Sequence, residues 1–330
     1  MSRDRGPRRL RRLDRSALIA ASLTALSLTA SGCVVVHGEK EVLPSATRAE
    51  AAKALKEFTT AYNAADKAYD SALDAGRVTG ALGAIDAARL KAGRATNPGG
   101  NPAHSPLELS DTKFAIPKKA GWPRWFVADA AANKGGRARW VFVFTRHDLD
   151  KPWKAAYLTL MAPADVPEFK TDADGYAEDV PADSRQLAVP PGDLSERYVS
   201  YLKDGGDAFA AGGQTSKWRQ TRKKQAERPG LVRQFIDEPL TNGDFAPLAL
   251  RTADGGALAF FASRHFEKQT AAPGASVPVP GKSVQALTEG EIKQSLTLEF
   301  VSNEVALVPK GSGKVDVLGR IQGMTSAKGE

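Results

Sequence analysis

Arg139-Trp140-Val141-Phe142-Val143-Phe144-Thr145 is the stretch on which the fold turns. Successive side chains of a strand point to opposite faces, so Trp140, Phe142 and Phe144 share one face while Val141 and Val143 share the other. A strand with one wet face carries a polar residue at every second position. This one is apolar on both, which predicts a strand covered from two sides, by helices on one and by a second domain or a partner on the other. Four of the five tryptophans (Trp122, Trp125, Trp140, Trp153) lie close by, with Phe126 and Tyr157. Trp125 to Asp129 forms a hairpin with the Arg139 strand across Asn133-Lys134-Gly135-Gly136, and Trp153 to Met161 adds a third strand. Aromatic stripes at strand spacing predict a filled core; if the region opened instead, Trp125, Trp140 and Phe142 would line a ligand pocket, and with His147 and His265 they stand as candidate ligand-binding residues.

Working outward, Thr47-Arg48-Ala49-Glu50 is a capping box that starts a helix. Leu55, Phe58, Tyr62, Ala65, Tyr69 and Leu73 follow at spacings of three and four as one apolar face, ending near Gly76. A shorter helix follows with Val78, Leu82 and Ile85 inward, up to Gly93, and 97 to 106 is loop. On the other side, Pro163 to Asp193 is polar and rich in Asp, Glu and Pro. The second half repeats the plan: a helix from Leu194 to Ala211, a basic helix from Thr215 to Glu227, then strands at 231–236, 248–252, 257–264, 295–301 and 315–322. Gly135-Gly136 leading to Arg146-His147 is echoed by Gly255-Gly256 leading to Arg264-His265, which suggests a duplicated unit. The fold class read from this is α+β, two tandem domains of helices packed on a curved antiparallel sheet: 47–165 and 193–330, joined by an acidic, proline-rich linker at 166–192.

The N-terminus concerns location. Seven arginines against two aspartates precede an apolar run from Ser16 to Ala30, which is shorter than the roughly 20 residues of a membrane-spanning helix and closes on small residues. Leu28-Thr29-Ala30-Ser31-Gly32-Cys33 resembles the lipobox of bacterial lipoproteins, with Ala30 where that family usually has Leu. The resemblance implies a signal peptide at 1–32, a Cys33 that carries acyl chains such as palmitate, and a tether at 33–46 holding the fold to membrane lipid. Arg8-Arg9 and Arg11-Arg12 leave the export route open between the general and twin-arginine pathways. Without this segment the formal charge falls from +8 to +3, so no nucleic-acid partner is implied. Cys33 is the only cysteine, so stability rests on packing.

The order of one long helix, a short helix and a meandering antiparallel sheet resembles the cone fold of nuclear-transport-factor-two-like and cystatin-like proteins, over about 47–163 and again 193–323. The whole chain, with its lipobox and two-part layout, also resembles uncharacterised actinobacterial lipoproteins that carry a domain of unknown function. That likeness implies no activity.

Catalytic and cofactor motifs fail on their spacing. Ser200-Tyr201-Leu202-Lys203 matches the Ser-x-x-Lys of penicillin-binding enzymes but lacks its companion motifs. Gly281-Lys282-Ser283 reads as a proline-rich loop, since Pro278 and Pro280 have no amides to cradle a phosphate. Asp172-Ala173-Asp174-Gly175 partly matches a calcium loop, yet Lys170 and Pro181 occupy its first and twelfth positions. His37, His104, His147 and His265 lack metal-ligand spacing, so neither a metal nor a cofactor is expected. His147 beside Asp148 and Asp150, and His265 beside Glu267, are the acid-base candidates. Lys217, Arg219, Arg222, Lys223 and Lys224 around Trp218 form the densest basic patch, a candidate contact with anionic lipid. The expectation is a membrane-tethered, non-enzymatic binding or interaction module on the outer side of the cell membrane, with a possible envelope protein partner. Its rivals are a carrier of a small apolar ligand in a cone cavity and a hydrolase or lyase using His147 or His265.

Overall fold

A computed structural model describes residues 41 to 330; the expected signal peptide, Cys33 and tether residues 34–40 lie outside the described residues. The elements in chain order are β1 (Leu43–Pro44), α1 (Arg48–Ala68), α2 (Gly80–Thr96), β2 (Leu109–Ala115), β3 (Lys118–Lys119), β4 (Arg124–Ala132), β5 (Arg139–Arg146) and β6 (Lys154–Met161). Then come α3 (Leu194–Asp204), α4 (Ser216–Gln225), β7 (Glu227–Arg228), β8 (Leu231–Leu240), β9 (Leu248–Arg251), β10 (Ala257–Ala271), α5 (Lys282–Leu287), β11 (Thr288–Glu289), β12 (Ser295–Val308) and β13 (Asp316–Gly329). The fold is α+β.

The capping box is made. The Glu50 N–H donates to Thr47 Oγ1 at 3.1 Å and the Thr47 N–H donates to the Glu50 carboxylate at 2.7 Å, so two orphan amides of α1 are satisfied. The helix closes at Tyr69, with φ 49°, instead of near Gly76. Leu73 therefore leaves the apolar face and is exposed. The Tyr69 ring lies against Gly93 of α2, where no side chain would fit.

The first sheet has the antiparallel order β2-β4-β5-β6. On its helix side Phe58 of α1 meets Phe142 and Phe144 edge-on at 5.2 and 5.9 Å, and Phe126 stacks on Phe144 at 5.0 Å. The second sheet runs β11-β13-β12-β10-β8-β7 with β9 also on β10, and only β11 and β13 are parallel. Its outer face carries α3, with Leu194, Tyr198 and Leu202 on Ala259, Phe261 and Ala306. Between the sheets, Trp125, Val141, Val143 and Tyr157 meet Leu258, Phe260, Val301 and Val305. The second sheet is thus the cover that the Val141–Val143 face of β5 requires.

Val42–Glu330 is one compact unit. Each expected half supplies one sheet, the two sheets share a core, and α2 of the first half packs into that core and against β13 and α5 of the second. The stretch expected as an exposed linker is stitched to both: the Ala177 N–H donates to Ile116 O and the Val180 N–H to Ala249 O, both at 2.9 Å. Ala177, Val180, Leu187 and Val189 are buried there. Their spacing among Asp, Glu and Pro follows neither helical nor strand period, which is why they read as surface.

Several bounds differ from expectation. α3 stops at Gly205, whose φ of 84° closes the helix well short of Ala211. β10, β12 and β13 run past the expected ends at 264, 301 and 322. Gly281-Lys282-Ser283 is the start of the short helix α5 and not a loop.

Candidate functional site

The basic helix α4 has two differently placed sets of cations. Lys217, Lys223 and Lys224 are exposed, Arg219 is half-buried, and Arg222 is buried at 6% exposure. Arg222 therefore belongs to the interior and leaves the surface patch expected from sequence. Its Nη1 donates to both carboxylate oxygens of Asp237, at 2.8 and 2.7 Å. Its guanidinium lies 4.8 Å from the Trp218 ring centroid and 4.9 Å from that of Phe235. Nε and Nη2 of the same group are buried and have no partner. An ion pair this buried is costly unless its remaining donors are met, so Nε and Nη2 of Arg222 lack the oxygen acceptor they call for.

Other titratable groups line up beneath α3 and α4. Arg320 of β13 lies over the Trp218 ring at 4.0 Å. His265 stacks on Phe300 at 4.8 Å and meets the edge of Trp218. Burial, then Arg222 and Arg320, push the imidazole down to about 3, so it is neutral at ordinary pH. Glu304 has no exposure and accepts from the Ser263 hydroxyl at 2.7 Å. Burial pushes it up to about 7. Burial also raises Asp237, against the pull of Arg222.

A cleft of about 940 Å³ opens between α3, α4 and β8, lined by Ser200, Lys203, Arg219, Arg222, Lys223 and Phe235 among others. Arg219 ties its two helices, donating from Nε to Leu202 O at 3.1 Å. The walls carry five cations, Arg233 included, against Asp204 and Asp237. Two of the five are already paired, Arg222 with Asp237 and Arg233 with Glu267 at 2.9 Å. The surplus favours an anionic occupant.

The other sequence-derived candidates fall elsewhere. Trp125 and Phe142 have no exposure and Trp140 has 9%, all within packed clusters. Trp125 donates from Nε1 to Asp179 at 3.0 Å. The space that a cone would keep for an apolar ligand is filled here by the chain's own aromatic rings. His265 is not paired with Glu267, which holds Arg233 instead. His147 is paired with neither Asp148 nor Asp150: its Nε2 lies 2.6 Å from Oδ1 of Asp244, 97 residues away. The Thr79 hydroxyl donates to the other oxygen of Asp244. The carboxylate thus stands between hydroxyl and imidazole, so the ring is not placed to take the hydroxyl proton as a nucleophile would require. Asp172 and Asp174 both hold Lys118, at 2.6 and 2.9 Å, and the ammonium takes the place a calcium ion would fill. Among the described residues no group of three His, Cys, Asp or Glu side chains is arranged to hold a metal.

Sequence reasoning missed Asp237, Arg320 and Glu304. A signal existed for the first: Arg233, Phe235 and Asp237 alternate on one strand face, and Trp218 and Arg222 are one helical turn apart. Nothing marked the other two, each a charge with no charged neighbour in sequence within an apolar or mixed strand.

Residues 42–329 match the family described as Domain of unknown function (DUF8094). The chain is 72% identical to an uncharacterized lipoprotein of Streptomyces coelicolor, over 100% of both chains. It is 59% identical to an uncharacterized lipoprotein of Streptomyces avermitilis, again over 100% of each. A second uncharacterized lipoprotein of Streptomyces coelicolor is 28% identical over 67% of this chain and 64% of its own. No solved structure matches significantly.

Proposed function

The chain belongs to the DUF8094 family, with full-length relatives named lipoproteins, and on that premise we propose that it is a lipid-anchored, non-enzymatic binding module on the extracytoplasmic face of the cell membrane. Cys33 carries the anchor, and the cleft between α3, α4 and β8 takes anionic groups of a partner. The observation that carries the binding role is the surplus of cations lining the cleft, beside the buried guanidinium of Arg222 whose Nε and Nη2 have no partner. The lipoprotein reading is supported by the relatives' names and by the run from Leu28 to Cys33. No helix among the described residues is long and apolar enough to cross a membrane.

The experiment is thermal unfolding of the full chain, carrying Cys33→Ala, with increasing inorganic phosphate or citrate at fixed ionic strength. A ligand that binds only the folded state raises Tm. The expected result is a rise that the Arg219→Ala/Lys223→Ala double variant loses; an equal rise in both proteins, or none in either, overturns the site.

The exposed half of α4 supports a membrane contact beside the anchor. Lys217, Lys223 and Lys224 face solvent, and each such charge near anionic lipid contributes about 1 kcal/mol. Lys223→Glu/Lys224→Glu is expected to weaken binding of the unlipidated chain to phosphatidylglycerol vesicles at low salt. Unchanged binding leaves them a solvated face.

A further inference from the structure

We propose that the cleft receives an extended, acidic segment of a partner protein, which adds as a strand to the open edge of β8 while its carboxylates meet Lys203, Arg219 and Lys223. This rests on the anion-binding reading of the same cleft and names the form of the partner.

The edge is open by register. β8 pairs with β10 along its whole length, from Leu231↔Ala271 to Leu240↔Ala262. On its other side β7 reaches only Leu231 and Val232. The Arg233 N–H points to that outer side, donating to Ala226 O at 2.7 Å. Antiparallel strands alternate the direction of their amides residue by residue, so the amides of Phe235 and Asp237 point outward as well. The carbonyls of Arg233, Phe235 and Asp237 share that edge. Pro239, which has no N–H, ends the run, a common guard where a strand edge is exposed.

The open stretch coincides with the cleft. Phe235, Ile236 and Asp237 are consecutive residues and all line it, although Ile236 points to the opposite face from its neighbours. A cleft touching both faces of a strand runs along that strand's edge. Its remaining wall includes Val199, Ser200, Lys203 and Asp204 of α3, with Arg219 and Lys223 of α4. Ile236 is 52% exposed and, with Val232 at 52%, offers apolar contact to alternate side chains of an added strand. Strand addition draws affinity from main-chain hydrogen bonds and selectivity from what alternate side chains meet, here cations on one side and Ile236 on the other. A small oxyanion would meet the cations of the cleft and leave the strand edge unused.

The test uses the full chain carrying Cys33→Ala and the acetylated peptide Asp-Val-Glu-Val-Asp-Val, alongside the same peptide N-methylated at alternate residues to remove its pairing amides. The unmodified peptide is expected to bind, to slow amide hydrogen exchange at Phe235 and Asp237, and to lose at least tenfold in affinity on N-methylation. Arg219→Ala/Lys223→Ala is expected to weaken it comparably. If both peptides bind equally and the two amides are not protected, strand addition is overturned while anion binding in the cleft stands. If the peptide fails to bind although phosphate or citrate does, the cleft is a small-oxyanion site and the proposal is likewise lost.

Discussion

Replacing Glu304 by Gln tests the buried polar column under α3 and α4. The carboxyl has no exposure, one oxygen takes the Ser263 hydroxyl and the other has no partner. Burial raises its pKa from the ordinary 4.5 to about 7 in the folded chain. Between those values the folded protein keeps a proton that the unfolded chain has released. Stability that is fully present below pH 4.5 is therefore lost as pH rises to about 7, after which no more is lost. At about 1.4 kcal/mol per pH unit the interval amounts to about 3 kcal/mol. Glu304→Gln replaces the acid with a neutral group of the same shape, so the loss should vanish. Other groups titrate nearby: Asp74, raised to about 8 by burial and by Asp86, also costs stability as pH rises. His265, lowered to about 3, costs stability as pH falls below its ordinary 6.5. The readout is therefore the difference between wild type and variant, from urea unfolding at intervals from pH 4 to 8. The variant is expected to match the wild type near pH 4 and to exceed it by about 3 kcal/mol at pH 8. A difference that stays constant across the range refutes the reasoning and would mean that Glu304 is charged in both states or in neither.

Residues 47–165 produced alone would expose the Trp125, Val141, Val143 and Tyr157 face, and are expected to aggregate or to show the loose packing of a partly folded state by near-ultraviolet circular dichroism; a soluble monomer as stable as the full chain would show that the intersheet core is dispensable. Cys33→Ala is expected to abolish incorporation of labelled fatty acid, and equal labelling of the variant would end the lipoprotein reading, since each acyl methylene adds about 0.8 kcal/mol of membrane attachment.

The legible part of this fold was local. The spacing of Leu55, Phe58 and Tyr62 announced α1, and the doubly apolar β5 announced a cover on both faces, because side-chain period is a property of a few consecutive residues. Which element supplied the second cover was not legible: Val143 and Phe260 are more than a hundred residues apart, and any apolar strand would have satisfied the pattern. The site fared the same way. His147 was read with Asp148 and Asp150, its neighbours in sequence, but its partner Asp244 arrives from the loop after β8. Arg222 was read with the lysines around it because an inward arginine looks no different from an outward one in a basic helix. The far ends of β10 and β12 escaped for another reason. Arg264 to Gln269 mixes charged and apolar residues as a strand with one partly wet face does, and so imitates a loop.

The shared core between the sheets also constrains the order of events as the chain forms. Synthesis proceeds from the N-terminus, so the first sheet is complete at Met161, whereas β10 and β12, which cover its inner face, are finished only at Ala271 and Val308. Throughout that interval the inner face of β4 and β5 lacks Leu258, Phe260, Val301 and Val305 of its native cover. Closure then requires contacts of high sequence separation, whose loop entropy must be met before the apolar burial that rewards it, so folding is expected to be slow and exposed to self-association.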